Sequence, residues 1–133
     1  MDTNGNTKKL LIKDLCARLP YDVKVLYDNK VFSIDYVSSI YEEIKLDTCD
    51  NYTLDVSDVK PYLFPLSSMT EEQKKEYRKV CELDTEILSK HPMDGTPFPV
   101  LYNSQDWCNK NHFDYRNLIN KNLAIDCTNL NIY

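Results

Sequence analysis

Glycine is nearly missing from this chain: Gly5 and Gly95 are the only two in 133 residues. A loop that cradles phosphate on its backbone N–H groups needs glycines at short fixed spacing, so P-loop and Rossmann-type nucleotide binding are excluded. Cysteine is present in the wrong pattern for a staple. Cys16, Cys49, Cys81, Cys108 and Cys127 are odd in number, far apart and contain no CxxC pair, which points to reduced thiols rather than a secreted disulfide framework. No apolar run is long enough to span a bilayer, and the opening MDTNGNTKK is polar with no stretch of signal-peptide length. The expectation is a soluble intracellular protein, or one packaged inside something else, with no membrane partner. Bases are scarce in one stretch: between Asp28 and Asp58 eight acids face only Lys30 and Lys45, within a formal net charge of −5. That segment repels a phosphate backbone.

What is present is aromatic surface. Ten tyrosines stand against four phenylalanines and one tryptophan, so much of the packing is amphipathic. The length suits one ordinary domain, 1–133, with a core that needs no metal or disulfide. Residues 1–7 read as flexible. Residues 8–19 read as an amphipathic helix, with Leu11, Leu15 and Leu19 four apart, Ile12 and Cys16 beside them, and Pro20 as the stop. From 23 to 56 the period changes to two. Strands at Val23–Tyr27, Val31–Val37, Ile40–Leu46 and Tyr52–Val56, with turns at Asp28-Asn29 and Asp47–Asn51, make an antiparallel meander that an SH3-like barrel would close.

Prolines at 61 and 65 make 60–69 an extended connector. Thr70 followed by Gln73 forms a capping box, opening a helix over 70–89 that buries Tyr77, Val80, Cys81, Ile87 and Leu88 and carries Asp84 at the stripe's edge. The proline-rich 91–100 reads as an irregular loop, and 100–102 as an edge strand. The densest packing run is 104–122, read as a helix corner. Ser104 caps its first helix, Asp114 caps a second starting at Tyr115, and Asn122 supplies a left-handed stop. Trp107 and Phe113 close the corner over Tyr115, Leu118, Ile119 and Leu123, and 123–127 returns as a possible strand. The fold class is therefore α+β: about four strands, as a small meander or SH3-like barrel, packed with three to four helices.

Chemistry is thin. Cys108 and His112, four apart on one helix, have the spacing for a thiolate–imidazole pair or two metal ligands, but no recognisable second pair completes a metal site. Ser104, His112 and Asp114 are the residue types of a hydrolytic site, and equally what a capped corner requires. Neither pattern amounts to a catalytic or cofactor signature; catalytic, metal and cofactor-binding residues are read as none. The tyrosines near the sheet, Tyr21, Tyr27, Tyr36, Tyr41, Tyr52 and Tyr62, are the type that stacks on single-stranded bases, against which stands the acidic charge around them. The same rings suit a protein interface, since tyrosine is enriched there and needs no basic surroundings. The candidate interaction surface is Tyr27, Tyr36, Tyr41 and Tyr52 with Glu42 and Glu43.

Two stretches, KPYLFPLSSMTEEQKKEY (Lys60–Tyr77) and DWCNKNHFDYRNLINKNLAID (Asp106–Asp126), together with LIKDLCARLPYDVK near the start, resemble a family of small uncharacterised proteins of gut Bacteroidales bacteria and their phages. The resemblance implies a core, aliphatic-like place for Cys108 and glycine-like places for Asn117 and Asn122. It implies a bacterial cytoplasm, or a host cytoplasm or virion if the gene is phage-borne, and carries over no activity. The reading is a non-catalytic protein-interaction module, an accessory or host-directed factor of a phage or mobile element. The alternative is a nucleic-acid-binding small β-barrel; a hydrolase or metal site at Cys108, His112 and Asp114 ranks below both.

Overall fold

The computed structural model describes residues 4–47, 53–90 and 103–133. Helix α1 spans Asn4–Arg18, starting earlier than the apolar spacing required, and Pro20 then holds a single 3-10 turn that Asp22 ends in a left-handed conformation. Strand β1 (Lys24–Tyr27) returns as β2 (Lys30–Ser38) through Asp28 and Asn29, both at positive φ, the backbone a two-residue hairpin with the native twist needs. Strand β2 serves two neighbours. Residues 30–33 pair with β1, residues 34–38 pair with β3 (Glu43–Leu46), and a register shift at Asp35 bends the strand between them. The third strand is shorter than its sequence suggested, because Ile40 and Tyr41 stay in the turn and Glu42 takes a positive φ. Strand β4 is Leu54–Asp55, followed by a 3-10 turn in which the Asp55 carboxylate accepts Ser57 N–H.

The largest departure lies at the expected connector. Lys60–Pro65 is β5, a central strand that pairs antiparallel with β1 and parallel with two short strands, β6 (Phe113–Asp114) and β7 (Ile125–Asp126). Two prolines argue against a central strand because each removes a ladder donor. Here they fall two pairs apart, in the same alternating register as Leu63, whose edge calls on a carbonyl: Cys127 N–H donates to Leu63 O at 2.9 Å. The opposite register supplies the donor that is needed, Phe64 N–H to His112 O at 2.8 Å. The result is α+β with three helices among the described residues: β1 to β4 form the expected antiparallel meander, and β5 to β7 extend it into a mixed sheet. Among the described residues no ladder joins β4 back to β6 or β7, so the sheet is open and not a closed barrel.

Helix α2 spans Glu71–Lys90 and opens on the expected capping box, Thr70 N–H donating to Gln73 Oε1 (2.9 Å) and Gln73 N–H to Thr70 Oγ1 (3.1 Å). Helix α3 is Asn103–Lys110. Tyr52, the side chains of Ile87 and Leu88, the 91–100 loop and the 100–102 edge strand lie outside the described residues. The main core packs Leu11, Ile12 and Leu15 of α1 against Val23, Val25, Ile44, Leu46, Val56, Val59 and Leu63 of the sheet side, with Leu118 and Ala124 closing it. Cys16, expected beside that stripe, is exposed. A second cluster gathers Met69, Cys108 and Phe113 with Phe64, Tyr77, Trp107 and Tyr115 between α2, α3 and β5.

Tyr133 completes the sheet from outside it. Its hydroxyl accepts Lys24 N–H at 2.8 Å and donates to Tyr62 O at 2.9 Å, so a phenol relays the contact where β1 and β5 part. Tyr133→Phe keeps the ring and removes both bonds. It is expected to lower unfolding stability by about 1–2 kcal/mol in urea with the m-value unchanged; an effect below about 0.5 kcal/mol would show that water replaces the relay.

Candidate functional site

The corner at 103–124 is built differently from two capped helices. Helix α3 is capped from a distance: the Asp84 carboxylate on α2 accepts Asn103 N–H (2.7 Å) and Ser104 N–H (2.9 Å). Ser104 therefore receives the cap rather than giving it, and Asp84, expected at a solvent edge, is buried. Burial works to raise its carboxyl, but these hydrogen bonds hold it below the usual carboxylate range. His112 ends α3 at φ 63, a conformation that histidine and asparagine tolerate better than most residues. After β6 the chain forms turns, not a second helix. Asp114 does cap, but its two oxygens take Leu118 N–H and Ile119 N–H, both at 2.9 Å, across a loop held by positive φ at Asn117 and Asn122.

Beneath this corner lies a group the sequence reading passed over. Asp14 and Arg18, one turn apart on α1, are both fully buried and joined Nε to Oδ2 at 2.8 Å. Arg18 Nη2 donates to Phe113 O (2.7 Å) and Nη1 to Cys108 O (3.4 Å), so one guanidinium binds α1 to the end of α3 and to β6. Arg116 approaches the other Asp14 oxygen at 3.5 Å, and both guanidiniums lie over the Tyr115 ring, at 5.4 and 4.6 Å from its centroid. Burial pushes the Asp14 carboxyl up, against the pull of the two arginines. The readable signal was Asp14 and Arg18 at +3 and +7 from Leu11, on the apolar stripe itself.

The candidate chemical residues separate. The Cys108 thiol turns into the second cluster against the Tyr77 hydroxyl, and burial pushes it up to about 11, so it is a neutral thiol near pH 7. His112 instead stacks on Tyr133, ring centroids 3.7 Å apart, and burial assisted by the Arg18 charge lowers it to about 4. Ser104, His112 and Asp114 share no hydrogen bond, and both Asp114 oxygens are occupied. Among the described residues no three His, Cys, Asp or Glu side chains converge as a metal site, and no helix is long and apolar enough to cross a membrane. A cleft of about 480 Å³ between Asn6, Thr7, Leu10, Lys121 and Leu123 has Lys121 as the one ionisable lining group among the described residues.

The tyrosine and glutamate surface is placed unevenly. Tyr27 is half-buried against Phe32, their rings 6.3 Å apart. Tyr36 is 43% exposed and Tyr41 74% exposed, beside Ile40 at 83%. Ile40, missed by sequence reasoning, is the most exposed large apolar side chain among the described residues. Glu42 turns the hairpin and lends its carbonyl to Val56 N–H, while Glu43 accepts Thr53 Oγ1 at 3.1 Å. Asp35 pairs with Lys45 at 3.1 Å. The β2–β3 hairpin thus ends in an apolar tip above an acidic stem. No protein-family model, curated protein or solved structure matches the chain.

Two outcomes test the corner. Arg18→Met leaves Asp14 buried beside only the more distant Arg116 and is expected to lose about 3–5 kcal/mol, whereas Asp14→Leu with Arg18→Met should recover part of that loss. A double variant no more stable than Arg18→Met, by chemical denaturation, would contradict this account. Because His112 binds its proton less readily folded than unfolded, its contribution to stability is full above pH 6.5 and falls as pH drops toward about 4. His112→Asn, which tolerates the same φ, should flatten that part of a Tm-against-pH curve.

Proposed function

We propose that this chain is a non-catalytic protein-interaction module whose anchor is the β2–β3 hairpin tip. The observation that carries the reading is the exposure of Ile40 and Tyr41 together, with Tyr36 behind them. Large apolar side chains held out on a rigid hairpin lose little conformational freedom on docking, and tyrosine is enriched in interface centres. The stem beneath carries Asp35, Glu42, Glu43 and Asp47, with Lys45 the base among them. The fitting partner is a protein with an apolar pocket rimmed by lysine or arginine. The resemblance to Bacteroidales and phage proteins supports an accessory or host-directed role in a bacterial cytoplasm.

A nucleic-acid-binding small barrel is the second reading. One bent strand shared by two ladders, with a later strand returning to β1, is the path of a small barrel short of closure, and Tyr36 and Tyr41 are free to stack. The acidic stem runs against it.

The test compares the wild type with Ile40→Ser/Tyr41→Ser in affinity capture from Bacteroidales lysate. Stability should move by less than about 0.5 kcal/mol, while a captured protein is lost or weakened at least about 30-fold, the effect of removing a hot spot. A partner retained by the variant removes the tip from the interface. Salt-sensitive binding of single-stranded DNA or RNA in a low-salt fluorescence titration would favour the barrel reading instead.

A further inference from the structure

Helices α2 and α3 lie side by side, and their contacts fall at successive levels. Asp84 meets Asn103 and Ser104 at one level, and the Tyr77 and Trp107 rings meet, centroids 5.4 Å apart, further along. One turn back from Asp84 is Cys81, and one turn on from Ser104 is Cys108, so helical spacing sets both cysteines about one turn from the Asp84 cap, on the faces the two helices share. Side-chain packing agrees with that placement: Cys108 is buried in the cluster against which Tyr77 and Trp107 pack, and Cys81 lies one turn on from Tyr77 along α2. Both thiols are free, Cys108 buried and Cys81 half-buried. The other described cysteines lie elsewhere, Cys16 on α1 and Cys127 after β7. Nothing in the hairpin reading uses this pair.

We propose that Cys81 and Cys108 form an oxidation site, a dithiol that a peroxide converts into a disulfide pinning α2 to α3. Cys81, the more accessible sulfur, takes one oxygen from hydrogen peroxide; the O–O bond breaks and water leaves, giving a sulfenic acid. The Cys108 sulfur then attacks the Cys81 sulfur. The S–O bond breaks, and the departing hydroxide takes up the Cys108 proton as a second water. Two thiols lose two electrons and two hydrogens, and one peroxide becomes two waters. Tyr77 is pushed up to about 12, chiefly by burial, so it keeps its proton near neutral pH and donates to whichever sulfur carries charge. Cys108, the more deeply buried of the two, is suited to resolving the sulfenic acid rather than meeting the oxidant first.

The experiment exposes the folded full chain to hydrogen peroxide, blocks remaining thiols by alkylation, and maps the digest by mass spectrometry without reductant. Expected is a monomer carrying a Cys81–Cys108 cross-linked peptide lighter by two hydrogens, reversed by dithiothreitol, with Tm raised by several degrees. Cys81→Ser, at a half-buried position, should abolish the cross-link while the protein stays folded. Tyr77→Phe should slow its formation several-fold. The proposal is overturned by dimers linked through Cys16, by Cys81 over-oxidised to sulfinic acid beside a free Cys108, or by Cys81 left intact at peroxide levels that oxidise Cys16.

Discussion

A buried ion pair joins the two halves of this structure. Asp14 and Arg18 sit with no exposed side-chain surface, where removing each charge from water costs several kcal/mol. The 2.8 Å pairing offsets part of that cost, and the 2.7 Å bond from Arg18 to Phe113 O offsets more, because hydrogen bonds from an ionised donor are about twice as strong as neutral ones. What the pair adds beyond an apolar contact is direction. A leucine at 18 would pack in several ways; a guanidinium must find the Cys108 and Phe113 carbonyls, and so fixes α3 and β6 relative to α1. The second cluster, with Cys108, Phe113, Trp107 and Tyr77, is arranged around that placement.

Local chemistry in the sequence was a sound guide wherever the partner was a neighbour. Asp28-Asn29 turned the hairpin, Thr70 and Gln73 closed their capping box, and Asn122 took a left-handed conformation. The guide failed where the partner was distant. Ser104 looked like its own helix cap, but Asp84, twenty residues earlier, does that work. Asp114 was rightly read as a cap, yet a carboxylate that binds N–H groups four and five residues on can hold a turn as well as start a helix. Proline in a strand is usually disqualifying, and only the register of β5 explains why Pro61 and Pro65 are harmless there.

The candidate surface was legible by residue type rather than by position. Tyrosine count and acidic balance pointed to the hairpin region, but period-two alternation assigned Ile40 and Tyr41 to a strand, whereas they occupy the turn and project outward. The central dyad of charge was hidden for the opposite reason. Asp14 and Arg18 belong to types almost always found at the surface, so an i,i+4 pair reads as solvent-facing until its partners, about ninety residues away, are known.

The phenol that spans β1 and β5 belongs to a residue 109 positions beyond the lysine it serves. A ribosome adds roughly 5–20 residues per second, so for some seconds of synthesis the first strand exists with its leading backbone donor, Lys24 N–H, addressed only by solvent, and Arg18 waits almost as long for its carbonyls. The N-terminal third therefore cannot reach its final arrangement as it emerges. Assembly of this protein is a closing event, governed by the arrival of Phe113 and Tyr133.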